Sequence, residues 1–218
     1  MVNKIVSVNE AVGCIKDGMT LMIGGFMTAG TPEMLIDAII EKGVKDLTII
    51  ANDTGFPDKG IGKLVKNKRV KKVIASHIGL NPETGRQMNN KEMIVDLIPQ
   101  GTLAEQIRCG GAGIGGFLTE TGVGTIVEEG KEKVKVGAKE YILELPLRAD
   151  IALVGGSVVD KSGNTYYNGS TRNFNPLIAT AADLVIVGAE KVVEVGELDP
   201  NHVMTPGIFV DYIVGGGK

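Results

Sequence analysis

Four short apolar runs, at residues 20–23, 47–51, 70–76 and 94–98, alternate with segments patterned as helices. No other feature of the chain constrains its fold as much. Short apolar runs bounded by glycine or polar residues read as buried strands. Strands that alternate with helices build a parallel sheet covered on both faces. Thr31-Pro32 reads as a helix start, a capping hydroxyl followed by proline at the first helical position. Leu35, Ile36, Ile39 and Ile40 form that helix's buried stripe, and Gly43 its C-terminal cap. Ser7 and Glu10 stand at capping-box spacing, which places an earlier helix running to about Lys16. Further helices are expected at 61–65, 82–89, 101–109 and 176–182. Further strands are expected at 141–145, 151–154 and 184–187, with a hairpin arm at 164–167. The expected fold is therefore α/β: one domain over 1–218, an open and mainly parallel sheet flanked by helices, with a β-rich insertion at 115–170. No internal repeat stands out.

Composition narrows the function classes. The chain has 218 residues, enough for a sizeable core, and a net charge of −3, which excludes a binder of nucleic acid that relies on bulk positive charge. Its 31 glycines lack a Gly-X-Y period and are spread between apolar runs. They imply tight turns and close backbone approach. Cys14 and Cys109 have neither metal-site nor CxxC spacing and are expected to be free, buried thiols. The first ten residues lack the apolar core of a signal peptide, and no run is long enough to span a bilayer. A cytoplasmic protein without membrane contact is expected.

Three features offer chemistry. Gly24-Gly25-Phe26-Met27-Thr28-Ala29-Gly30 follows the first strand and opens a helix. Open α/β sheets bind ligands at such strand exits, where backbone N–H groups can hold a phosphate or a carbonyl oxygen. Asn52-Asp53, Ser76-His77 and Gln100-Gly101 sit at three further strand exits and should converge on the same sheet edge. Ser76 and His77 are adjacent on an extended segment, so His77 is not expected to serve Ser76 as a base. Gly111-Ala112-Gly113-Ile114-Gly115-Gly116 satisfies G-x-G-x-x-G, but a helix precedes it and none follows, so it is not read as a dinucleotide site. His77 and His202 are isolated, which argues against a histidine metal centre. Glu144 closes an apolar strand and is expected to be a paired structural carboxylate.

Asp17-Gly18-Met19-Thr20-Leu21-Met22-Ile23-Gly24-Gly25-Phe26-Met27-Thr28-Ala29-Gly30-Thr31-Pro32 closely resembles the signature of family I CoA-transferase α subunits. The resemblance continues through Asn52-Asp53, Ile74 to Gly79 and Asn81 to Gly85. It includes Pro99-Gln100-Gly101-Thr102-Leu103 with Arg108 to Gly113, then Arg172-Asn173-Phe174-Asn175-Pro176 and Met204 to Gly207. It covers nearly the whole chain and is nearest to the short-chain fatty acid type, whose acids are acetate, acetoacetate and butyrate. Relatives acting on 3-oxoacids or 3-oxoadipate share the glycine signature. A non-catalytic ligand-binding α/β domain would also use such a loop.

The resemblance implies a reaction in which a glutamate carboxylate attacks an acyl-CoA thioester. In the family that glutamate lies in a Ser-Glu-Asn-Gly segment of the β subunit. This chain contains neither Glu-Asn-Gly nor Ser-Glu. The resemblance therefore implies half an enzyme, joined to a β subunit as α2β2, with coenzyme A as substrate and no tightly bound cofactor. It assigns Gly24, Gly25, Phe26, Met27, Thr28, Ala29 and Gly30 to CoA binding. Asn52 and Gln100 become contacts of the reacting carboxyl group, as neutral donors to a developing oxyanion.

Overall fold

The computed structural model describes residues 3–215. The chain opens with helix α1 (Val8–Gly13), strand β1 (Thr20–Ile23), α2 (Glu33–Lys42), β2 (Leu47–Ala51), α3 (Ile61–Lys66) and β3 (Val70–Ala75). Then come α4 (Pro82–Asn89), β4 (Ile94–Leu97), α5 (Gln100–Ala112) and the short strands β5 (Phe117–Thr119), β6 (Lys133–Val136) and β7 (Lys139–Glu144). The last part holds β8 (Ala149–Asp160), β9 (Thr165–Tyr166), α6 (Asn175–Ile178), β10 (Ala182–Val193) and β11 (Tyr212–Gly215).

The main sheet runs β11-β10-β8-β1-β2-β3-β4, with β9 antiparallel on β8. Every pairing along that path is parallel. Side chains alternate across the sheet, as a pleated strand demands. Leu21, Ile23, Ile49, Ala51, Val73 and Ala75 pack under α1, α2 and α3. Met22, Ile50 and Ile74 point the other way, with Leu103 and Ile107 of α5 and Ile178 of α6. Burial on both faces explains why these strands read as apolar runs rather than alternating ones. The open parallel sheet with flanking helices is thus as expected.

Several boundaries differ from the sequence reading. Ser7 Oγ accepts from the Glu10 N–H as expected, but α1 stops at Gly13 rather than Lys16. Its end is held from outside: Lys42 Nζ donates to the carbonyls of Val12, Gly13 and Ile15 at 2.9, 2.6 and 2.6 Å. Pro32, not Thr31, precedes α2, and no side chain caps it; the Thr31 N–H donates to Thr28 O at 3.2 Å in the preceding loop. Helix α5 continues through Gly110 and Gly111 instead of breaking there. At Gly110 a Cβ would lie 1.9 Å from Leu147 O, so its glycine serves close packing within the helix. The helix expected at 176–182 is only the single turn α6, since β10 already starts at Ala182.

The β-rich stretch expected at 115–170 divides in two. β5, β7 and β6 make a separate antiparallel sheet. The chain then returns as β8, which sits in the middle of the main sheet between β1 and β10. Glu144, at the end of β7, is 2% exposed and pairs with Lys131 at 2.6 Å and with Gln106 at 3.0 Å, the structural role expected of it. Cys14 and Cys109 are free as expected; Cys109 is fully buried, but Cys14, beyond the end of α1, is only half-buried rather than buried.

Candidate functional site

The strand order reverses at β1: β2, β3 and β4 lie to one side, and β8, β10 and β11 to the other. Ligand crevices form outside the carboxyl ends of strands at such a switch point. Here those ends surround an open cavity of about 880 Å³. Phe26 and Met27 reach it from the loop after β1, Asn52 from the exit of β2, Ser76, His77 and Leu80 from the segment after β3, and Gln100 from the start of α5. The far wall is Ser170, Asn173 and Phe174. The convergence of strand exits expected from sequence is therefore present.

Asn52 and Gln100 meet directly, Gln100 Nε2 donating to Asn52 Oδ1 at 2.7 Å. Asn52 Nδ2 donates onward to Gly25 O at 2.8 Å, and the side chain is only 2% exposed. Gln100 is exposed, and Asn52 occupies one of its two amide hydrogens. Ser76 Oγ stands against both Asn52 O, at 2.9 Å, and Gln100 Oε1, and its single proton serves one at a time. Ser76 and His77 both line the cavity, without a hydrogen bond between them among the described residues. No carboxylate, lysine or arginine is among the lining residues. Among the described residues, no group of His, Cys, Asp and Glu is placed to hold a metal. Among the described residues, no helix is long and apolar enough to cross a membrane.

The glycine loop carries two kinds of group. Phe26 and Met27 are 45% and 41% exposed at its tip. Behind them the backbone is tied into the protein. Gly24 N–H donates to Leu153 O, Gly25 N–H to Asn173 Oδ1, Phe26 N–H to Ala29 O, Met27 N–H to Asp53 Oδ2 and Ala29 N–H to Phe26 O. Among the described residues, the N–H groups of Thr28 and Gly30 are left without acceptors. The glycines also have a structural cause. A Cβ on Gly24 would lie 1.8 Å from Asn175 Oδ1, and one on Gly25 2.0 Å from Thr31 Oγ1. Neighbouring protein thus fills the space that a side chain would need at Gly24 and Gly25.

Asn173 and Asn175 carry no role that the sequence alone assigns. Asn173 Nδ2 donates to Ala29 O and Asn175 Nδ2 to Gly30 O, each at 2.9 Å, while Asn175 Oδ1 accepts from Gly155 N–H at 2.9 Å. They fasten the loop from 144 and 145 residues away in sequence. The asparagine pair in Arg172-Asn173-Phe174-Asn175-Pro176 was the available signal, without any local cue to its target.

A model of the family described as Coenzyme A transferase matches residues 5–216. The chain is 58% identical over 214 residues to the acetate CoA-transferase subunit alpha of Escherichia coli strain K12, covering 98% of this chain and 97% of that one. It is 54% identical over 214 residues to the acetoacetyl-CoA:acetate/butyrate CoA transferase alpha subunit of Clostridium acetobutylicum, covering 98% of each. In fold it matches an acyl-CoA transferase of Escherichia coli O157:H7, solved as a thioester complex with CoA, with a TM-score of 0.87 at 24% identity. That match covers 99% of this chain and 49% of the other, so this chain spans about half of that protein. With a family model aligned over 5–216 and two relatives at 58% and 54% identity along nearly their whole length, the chain belongs to the coenzyme A transferase family.

Proposed function

We propose that this chain is the α subunit of a two-subunit CoA-transferase that moves CoA between a short-chain acyl-CoA and a free acid such as acetate, acetoacetate or butyrate. It works as one domain within a cytoplasmic α2β2 assembly, with coenzyme A as substrate and no tightly held cofactor. The carrying observation is the cavity lining: amides, hydroxyls and the His77 imidazole beside exposed Phe26 and Met27, with no carboxylate to act as nucleophile. The attacking glutamate comes from the β subunit. Its carboxylate adds to the thioester carbonyl, CoA thiolate leaves, and an acyl-glutamyl anhydride forms. The thiolate then attacks the glutamyl carbonyl, releasing the first acid and leaving a glutamyl-CoA thioester. The acceptor acid reverses both steps.

In this scheme Gln100 is the exposed donor to the oxyanion, and Asn52 holds it in place from below. A preorganised neutral donor stabilises charge that develops in the transition state without trapping the carboxylates that come and go.

The test mixes the purified chain with its β subunit and supplies acetyl-CoA and a panel of acceptor acids, succinate included. Borohydride or hydroxylamine then traps the thioester. Transfer to monocarboxylates with the modified glutamate on the β subunit is the expected result. A thioester adduct on a side chain of this chain, or no transfer from the mixture, defeats the reading.

A further inference from the structure

The loop after β1 closes as a two-residue hairpin. Phe26 N–H donates to Ala29 O at 3.1 Å, and Ala29 N–H to Phe26 O at 3.0 Å. Its two turn residues, Met27 and Thr28, have φ of 49° and 71°. Positive φ at both positions is the type I′ geometry, which favours Asn-Gly. Methionine and threonine are poor choices there, and a β-branched residue with positive φ is a genuine outlier. Among the described residues, Thr28 is the one β-branched residue in this state.

Closure of such a loop does not demand that strain. After β2 the chain repeats the same frame: Gly25-Phe26-x-x-x-Gly30 is matched by Gly55-Phe56-x-x-x-Gly60. Phe56 and Lys59 form the same kind of isolated bridge as Phe26 and Ala29. Lys59 N–H donates to Phe56 O at 3.1 Å. The turn residues of this second hairpin, Pro57 and Asp58, both keep negative φ. The left-handed pair is thus particular to the first hairpin, whose tip lines the cavity. Strain of this kind costs of order a kcal/mol or more per residue and persists only where the surroundings over-determine it.

Asp53 is what over-determines it. Its carboxylate is 5% exposed and, among the described residues, has no lysine or arginine partner. Oδ2 accepts from Met27 N–H at 2.8 Å, and Oδ1 from Gly55 N–H at 2.6 Å. One carboxylate thus bridges the two glycine hairpins, while the Thr28 methyl lies against Gly55 and Gly60. Two converging N–H donors require an acceptor on both arms. Asparagine would turn an amide N–H₂ toward one of them.

We infer that Asp53 is a positioning residue: it holds the strained Met27–Thr28 turn so that Phe26 and Met27 stand at the cavity mouth in the form that acyl-CoA engages. The part concerning acyl-CoA rests on the proposed function; the part concerning the turn does not.

The experiment pairs Asp53→Asn with Met27→Asn/Thr28→Gly, a turn that adopts positive φ without strain. Steady-state kinetics use the reconstituted α/β enzyme with acetyl-CoA and acetoacetate, and amide hydrogen exchange reads Met27. Asp53→Asn is expected to raise the KM for acetyl-CoA about tenfold, to change kcat much less, and to speed exchange at the Met27 amide at least tenfold. In the Met27→Asn/Thr28→Gly background, Asp53→Asn should change that KM less than threefold. If Asp53→Asn alone fails to fold, the same background should restore folding. An unchanged KM and exchange rate in Asp53→Asn overturns the inference. So does an equal loss in both backgrounds, which marks a general stability effect. If the wild-type mixture transfers no CoA, the proposed function falls, and exchange at Met27 still decides whether Asp53 holds the turn.

Discussion

Gln100 and Asn52, 48 residues apart, share one hydrogen bond of 2.7 Å that divides their tasks: Asn52 is sealed beneath Gly25, and Gln100 is left facing the cavity. By sequence alone the two are equivalent neutral donors. The structure makes one a support for the other. Gln100→Ala is therefore expected to lower kcat by about 10²-fold with unchanged assembly, the scale of losing one oxyanion donor. Asn52→Ala should lower kcat as well and also destabilise the fold by about 1–3 kcal/mol, since it strips Gly25 O of its partner. Steady-state rates and urea unfolding of both variants check this; equal stability of the two would contradict the division.

Gly25→Val is expected to fail for a reason within the chain rather than at the ligand. Gly25 has φ of 121°, and a Cβ there would collide with Thr31 Oγ1. Strain and overpacking should each cost about 1–3 kcal/mol. A thermal melt of the isolated chain reads the loss directly. A variant as stable as wild type that has lost only acyl-CoA binding would show that the backbone at Gly25 meets the ligand.

Burial raises the pKa of the Cys14 and Cys109 thiols above its ordinary value of 9.0, at Cys109 with help from Glu105. Neither thiol carries much thiolate at neutral pH, and Cys109 is also shielded from reagents. The native chain should react slowly with a disulfide reagent at pH 7.5 and fully after denaturation. Cys14→Ser with Cys109→Ser should keep at least half of wild-type transfer. Complete loss of activity would point to a thiol mechanism.

Asp160 shows a pH effect with a defined sign. Burial opposes its charge, but Ser162 and Asn164 outweigh this with donors at 2.6–3.0 Å, and its pKa falls below the usual 3.8. The unfolded chain thus takes up this proton at a higher pH than the folded one. The stabilisation is complete above about pH 4 and is lost as pH falls through the folded pKa. Asp160→Asn should cost about 1.5–3 kcal/mol at pH 7, and the gap to wild type should narrow below pH 4. Urea unfolding at the two pH values measures it; a constant gap would remove Asp160 from the acid response.

The architecture was legible because its signals are local. Apolar runs, the Ser7 cap, the Gly43 cap and the proline opening α4 each act within a few residues, and the strands and helices they mark are present, though α1 ends a turn early. The sheet edge that gathers Asn52, Ser76 and Gln100 followed from parallel topology alone. The glycine hairpin after β1 was legible as a motif. Its echo at Gly55 to Gly60 was missed, because only two glycines and one phenylalanine recur and the intervening residues differ.

What the tertiary structure alone decided lies at long range. The return of β8 to the middle of the sheet, the grip of Asn173 and Asn175 on the glycine loop and the bridge that Asp53 makes between two hairpins all join residues whose spacing carries no pattern. Hydrogen-bond partners of a side chain are set by where the backbone arrives, not by neighbours in sequence. The chain's own order therefore determined which elements form and which edge of the sheet receives a ligand. Packing determined why the glycines are glycines, and which polar side chain remains free to face that ligand.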